Sequence, residues 1–168
     1  KCFYNLPGDV EGDDYYLLLK PEQQIEAHRR WYKSICGYYM DFSNPLMFNE
    51  KIQWIKRYGN HDEMAMLADK YLVRNYVKDK VGEKYLIKLI GCWDRADKID
   101  FDKLPNRFVL KCNHGCGYNI IVKNKSELDI ESTRILLERW MKEAYGVRSF
   151  EKHYSLIERK IIAENYIE

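Results

Sequence analysis

The stretch Phe108-Val109-Leu110-Lys111-Cys112-Asn113-His114-Gly115-Cys116-Gly117-Tyr118-Asn119-Ile120-Ile121-Val122-Lys123 decides the fold. Its two ends are short apolar, β-branched runs. Gly115 and Gly117 lie between them, so the whole reads as a hairpin with a flexible loop. Glycines let a backbone come close to a ligand, and successive N–H groups in such a turn form a concavity for anions. Lys111 adds a positive charge at the root of the loop. If the strand alternates, Val109 and Lys111 share one face, and Phe108 and Leu110 share the other. The stretch suits the phosphates of a ligand; the plainer reading is an ordinary hairpin with a solvated edge lysine.

Upstream the pattern is helical. Pro21 starts a helix as a first-turn proline, with Ile25, Trp31, Tyr32, Ile35, Cys36 and Tyr39 as its apolar stripe. Ser43-Asn44-Pro45 breaks the chain. A second helix runs near Phe48 to Tyr58, with Phe48, Ile52, Ile55 and Tyr58 on one face and Gly59 as its stop. A third is expected from about Asp62 to Val81, with Met64, Leu67, Ala68, Tyr71 and Leu72 inward. Then the period changes. Leu86 to Ile90 reads as a strand, Asp94 to Pro105 as a charged linker, and Asp129 caps a helix that Gly146 ends. Lys160 to Asn165 reads as the last strand. The fold class is α+β: a lead-in over 1–20, a helical region over 21–83, and a β-β-β-α-β unit over 84–168.

In this order the elements resemble the ATP-grasp superfamily and, more narrowly, its TupA-like (teichuronopeptide biosynthesis) family. The resemblance rests on Phe48-Asn49-Glu50-Lys51-Ile52-Gln53-Trp54, Ala68-Asp69-Lys70-Tyr71, the block from Phe108 through Lys123, and Glu164-Asn165-Tyr166-Ile167. It covers about Asp41 to Glu168 and implies that the C-terminal unit is a nucleotide-binding lid. It also implies that Lys111 reaches the α- and β-phosphates of ATP, and that the loop of Asn113, His114, Gly115 and Gly117 folds over the β- and γ-phosphates. Lys70 either meets the phosphates too or belongs to a polar helix face. Glu164 matches the family's acidic position beside adenine, with the backbone of Asn165, Tyr166 and Ile167 offered to the base; otherwise this is a plain buried strand ending in a solvated glutamate. Relatives carry serine where this chain has Cys116, which leaves the loop its backbone contacts only.

The implied chemistry activates a carboxylate as an acyl-phosphate for attack by an amine, with ATP and Mg²⁺. The resemblance places the Mg²⁺ ligands beyond residue 168, so the chain is expected to be an N-terminal portion that is inactive alone, with its catalytic residues unknown. It connects the chain to bacterial cell-surface polymer assembly, with a small-molecule or polymer-precursor substrate. The alternatives are a polysaccharide-building glycosyltransferase and a non-catalytic nucleotide-binding fragment.

Composition narrows the classes. A formal charge of +2 over 168 residues gives no broad nucleic-acid footprint. No run approaches the roughly 20 apolar residues of a bilayer span. Five scattered cysteines argue against a disulfide framework and for a reducing compartment, so a cytoplasmic location is expected. Cys112, His114 and Cys116 alternate but lack a fourth ligand and any Cys-x-x-Cys pair, so no metal site is assigned.

Overall fold

The computed structural model describes residues 19–168. The expected lead-in, apart from Leu19 and Lys20, lies outside the described residues. Five α-helices and a four-stranded sheet make up the rest: α1 (Pro21–Cys36), α2 (Phe48–Tyr58), α3 (His61–Ala68), α4 (Val73–Val81), β1 (Leu89–Trp93), β2 (Phe108–Cys112), β3 (Asn119–Val122), α5 (Ile130–Lys142) and β4 (Ile161–Asn165). The fold is α+β, with a helical first half and the β-β-β-α-β order that the sequence suggests.

All strand pairs are antiparallel, in the order β1-β4-β2-β3. β4, last in the chain, sits inside the sheet, and this explains its composition. Ile161, Ile162, Ala163 and Glu164 are all buried because both faces of an inner strand are covered. β2 alternates as expected. Phe108, Leu110 and Cys112 are fully buried in a core shared with Leu137 of α5, and Ile161 and Ala163 of β4. Val109 and Lys111 are half-buried on the opposite face.

Several expectations are corrected. The third helix is two, because Asp69 interrupts it: its Oδ1 accepts from the N–H groups of Tyr71 (2.7 Å) and Leu72 (3.2 Å), in competition with the helical ladder. The first strand starts at Leu89, not Leu86. The carbonyl of Ile87 is taken by Arg74 Nη2 at 2.6 Å, and ladder contact with β4 opens at Lys88, which accepts from the Asn165 N–H at 3.0 Å. The expected linker is structural. Ala96, Ile99, Phe101 and Leu104 enter the core between outward charges, and Glu138 receives the Ala96 N–H at 2.7 Å. α5 ends at Lys142, short of Gly146.

The helical stripes are only partly inward. α1 buries Ala27, His28 and Tyr32 while Ile35 and Tyr39 are exposed. On α2 the expected core residues Phe48, Ile55 and Tyr58 are exposed, and the buried residues are polar. Glu50 caps its own helix through the N–H groups of Leu46 (2.8 Å) and Met47 (2.9 Å), and Gln53 meets His28 at 3.0 Å. On α3 and the turn after it, Ala65 is buried while Leu67 and Leu72 are exposed.

His28 yields a pH prediction. Its ring stacks on Phe150 at 4.1 Å and meets Phe42 edge-on. Burial, against the Gln53 hydrogen bond and aided by Arg57 and Lys56, lowers its pKa from 6.5 to about 4. Between these values the unfolded chain binds a proton that the folded chain refuses, so stability rises with pH and falls on acidification from 6.5 towards 4. On the order of 2 kcal/mol should be lost by pH 5 through this residue. Urea unfolding at pH 7.5 and pH 5 should show a smaller acid loss in His28→Phe than in the parent; equal losses would refute the assignment.

Candidate functional site

The face of the sheet away from α5 carries the candidate site. On it Lys111 stands opposite Ile162, and Val109 stands opposite Glu164, so Lys111 and Glu164 are diagonal neighbours within side-chain reach. Lys111 Nζ lies 2.6 Å from Glu164 Oε2. Arg74, from the first turn of α4, reaches the other oxygen, with Nη1 2.6 Å from Oε1. Glu164 is thus a buried carboxylate held between two cations, and Lys111 keeps part of its surface open. Arg74 carries no sequence signal of this role, since its partner lies ninety residues along the chain.

The glycine loop closes on the same face. Lys70, Lys111, Gly115, Cys116, Gly117, Tyr118, Asn119 and Tyr154 surround an open cleft of about 370 Å³. A Cβ on Gly115 would lie 2.6 Å from the Tyr118 ring, so only glycine lets the loop lie flat there. Gly117 has φ +81°, which L side chains rarely adopt. Tyr118 is the loop's anchor: it stacks on Trp140 and donates to Glu143 Oε2 at 2.5 Å.

Lys70 is tied to this loop. Its backbone N–H donates to the Asn113 carbonyl at 3.3 Å, and its ammonium donates to the carbonyls of Gly115 and, at 3.4 Å, Asn113. Burial lowers its pKa, against the pull of Cys116 and with the repulsion of Lys111. Two ammonium groups therefore border one cleft.

The other expected site residues fall into two groups. Asn113 and His114 turn inward. The Asn113 amide donates to Asp69 Oδ1 (3.0 Å) and the Glu158 carbonyl (2.9 Å), and its oxygen accepts from the Lys160 N–H at 2.7 Å. His114 Nε2–H donates to the Trp140 carbonyl at 3.1 Å, and burial lowers its pKa. Their side chains hold the loop's root and do not border the cleft. Glu164, Asn165, Tyr166 and Ile167 lie at the far end of β2, where Asn165 pairs with Phe108. Asn165 and Ile167 are exposed, and Arg107 stacks over Tyr166 at 4.3 Å.

Among the described residues no group of three or more His, Cys, Asp or Glu side chains gathers to hold a metal ion, and no helix is long and apolar enough to cross a membrane. Burial pushes the Cys112 thiol up to about 12, and Cys116 is exposed.

A family model described as TupA-like ATPgrasp matches residues 50–168. No curated protein and no solved structure matches the chain.

Proposed function

The chain belongs to the TupA-like ATP-grasp family and holds an ATP-grasp-type, ATP-binding domain, and from that premise we propose that the sheet face bearing Lys111 is the nucleotide site. The observation that carries this is the shared cleft of Lys70, Lys111 and the glycine loop. β2 runs from Phe108, opposite Asn165, to Cys112 at the loop. Four residue steps of strand separate these ends, about 14 Å. In this reading adenine lies on the Glu164–Ile167 backbone at one end, the triphosphate lies under Gly115 and Gly117 at the other, and Lys111 reaches a phosphate between them. Lys70 steadies the loop and turns to the phosphates when they arrive.

The enzyme class is a carboxylate–amine ligase for a cell-surface polymer precursor. ATP phosphorylates a carboxylate, ADP leaves, and an amine displaces phosphate from the acyl carbon. Mg²⁺ is the expected counterion of the triphosphate, but the described residues do not fit it. Glu164, the buried carboxylate on this face, is already neutralised by Lys111 and Arg74. The domain is assigned to binding and orienting ATP, with no step assigned to a metal.

Calorimetric titration of the chain with ATP should give saturable binding on the order of 1 mM. Lys111→Ala should weaken it about tenfold, the equivalent of one charge-assisted contact of roughly 1.4 kcal/mol. ATP binding that Lys111→Ala leaves unchanged would refute the site.

A further inference from the structure

A second cavity, of about 390 Å³, lies away from Lys111, where the start of α1, the end of α2 and the segment 145–155 meet. Small-molecule sites commonly occupy about 300–1,000 Å³, so the volume suits a compact ligand. An aromatic partition separates it from the nucleotide cleft: Tyr145 borders the cavity and meets Tyr118 and Tyr154, which border the cleft.

The cavity's charge is unbalanced. Among the described residues Lys56, Arg57 and Lys152 border it, against the carboxylate of Glu151 alone. Lys56 is spoken for, with Nζ 3.7 Å from Glu151 Oε1 and 3.3 Å from the Ser149 carbonyl. Arg57 is not. Its Nη2 donates to the Pro21 carbonyl at 3.1 Å, while its Nε is buried and meets no acceptor among the described residues. Nor does any carboxylate pair with it among those residues. Its guanidinium lies over the rings of Phe42 (6.0 Å) and Tyr58 (5.7 Å), so it stands as a cation held by aromatic faces without a carboxylate partner among the described residues.

The walls beside it are flat and apolar. Tyr58, His28 and Phe150 contribute rings. Phe150 holds φ 59°, ψ 32°, a left-handed conformation rare for a bulky residue, and such outliers gather at ligand sites. The left-handed turn sets the Phe150 ring flat on His28, at the cavity wall.

We propose that this cavity is a second ligand site, for a small molecule that carries one carboxylate on a ring. A single negative charge matches Arg57, the half-buried one of the two cations left without a carboxylate beside Lys56 and Glu151, the other being the exposed Lys152, and a flat body matches the ring-lined wall. A phosphate dianion would draw on Lys152 as well, whose exposed side chain is held less firmly than Arg57 and offers no ring-sized surface. The site is independent of the nucleotide reading.

Benzoate is the probe, with benzamide as its neutral counterpart and inorganic phosphate as the competing anion. NMR titration of the full chain should show saturable benzoate binding with a shift of the Arg57 Nε–H resonance. Benzamide and phosphate should each bind at least about tenfold more weakly. Arg57→Gln should lose about tenfold in benzoate affinity. Because Arg57 also ties down Pro21, Ser155→Trp serves as the second variant: Ser155 is exposed at the cavity border, and the indole should block benzoate with the charges intact. Lys111→Ala should change nothing, so failure here and failure of the nucleotide site are separable. Benzamide or phosphate binding as tightly as benzoate, benzoate binding that survives both variants, or no saturable benzoate binding would overturn the proposal.

Discussion

Glu164→Ala is expected to destabilise the folded chain by about 4 kcal/mol. The carboxylate accepts from Arg74 and Lys111 at 2.6 Å each, deep beside the central strand. Removing it leaves two cations facing each other on a partly dry face. Deleting one partner of a buried ion pair typically costs 3–5 kcal/mol, more than the pair itself contributes, because the remaining charge stays desolvated. Lys111 can swing part-way into solvent; Arg74 is held by the Ile87 carbonyl and cannot. Restoring charge balance should therefore recover stability: Glu164→Ala combined with Arg74→Met should be more stable than Glu164→Ala alone. Urea unfolding of the three proteins decides this. A single-variant loss below about 1 kcal/mol would mean that the network is solvated and that Glu164 does not position Lys111.

Asn113→Leu should have an effect of similar size, about 4 kcal/mol, for a different reason. The side chains share their branching and heavy-atom count, so no cavity forms, although the two methyl groups of leucine are bulkier than the amide. What changes is three hydrogen bonds of a fully buried side chain, one of them buried and two part-buried. The Lys160 N–H and the Glu158 carbonyl lose their partners, and Asp69 loses one of its three donors. Each orphaned buried group costs roughly 1–3 kcal/mol, whereas the bond itself contributes only about 1 kcal/mol net. The loop's root keeps its backbone bond from the Asn113 N–H to the Lys160 carbonyl (2.9 Å) but loses its side-chain ties to the segment before β4, so ATP affinity should fall with stability. An Asn113→Leu protein that unfolds at the parent's urea midpoint would show that the clamp is not intact in solution.

These two residues show where sequence was readable. Lys111 on the face away from α5 follows from strand alternation alone, because apolar Phe108, Leu110 and Cys112 leave no other face for it. The glycine loop was readable for the same local reason. Asn113 and His114 lie in the loop as expected, yet their side chains point inward, because Asp69 and the segment just before β4 offer Asn113 its partners and the end of α5 offers His114 its own. The helices misled more. On α2 the apolar positions Phe48, Ile55 and Tyr58 are spaced as a core stripe, but the helix docks through His28 and Gln53 instead. A periodic pattern finds an amphipathic helix; it does not say which face meets a neighbour. The segment from Asp94 to Pro105 erred in the opposite direction. Its buried Ala96, Ile99, Phe101 and Leu104 follow neither a period of two nor one of 3.6, so the charges between them dominated the reading.

The placement of β4 has a consequence for how the chain acquires its shape. β2 and β3 are joined by a short loop and can pair as soon as both are made, within microseconds for a hairpin. β1 has no such neighbour. Its ladder partner is β4, made after the other three strands, and β4 also separates β1 from the hairpin. Until residues 161–165 leave the ribosome, β1 has no strand to join and the core beneath the hairpin has no floor. Assembly therefore waits on the final strand, a long-range closure of the kind that slows folding. The ion triad waits with it, since Glu164 rides on that strand. A nascent chain would carry Lys111 and Arg74 unneutralised until β4 arrives, and insertion of β4 would close the sheet and quench both charges in one event.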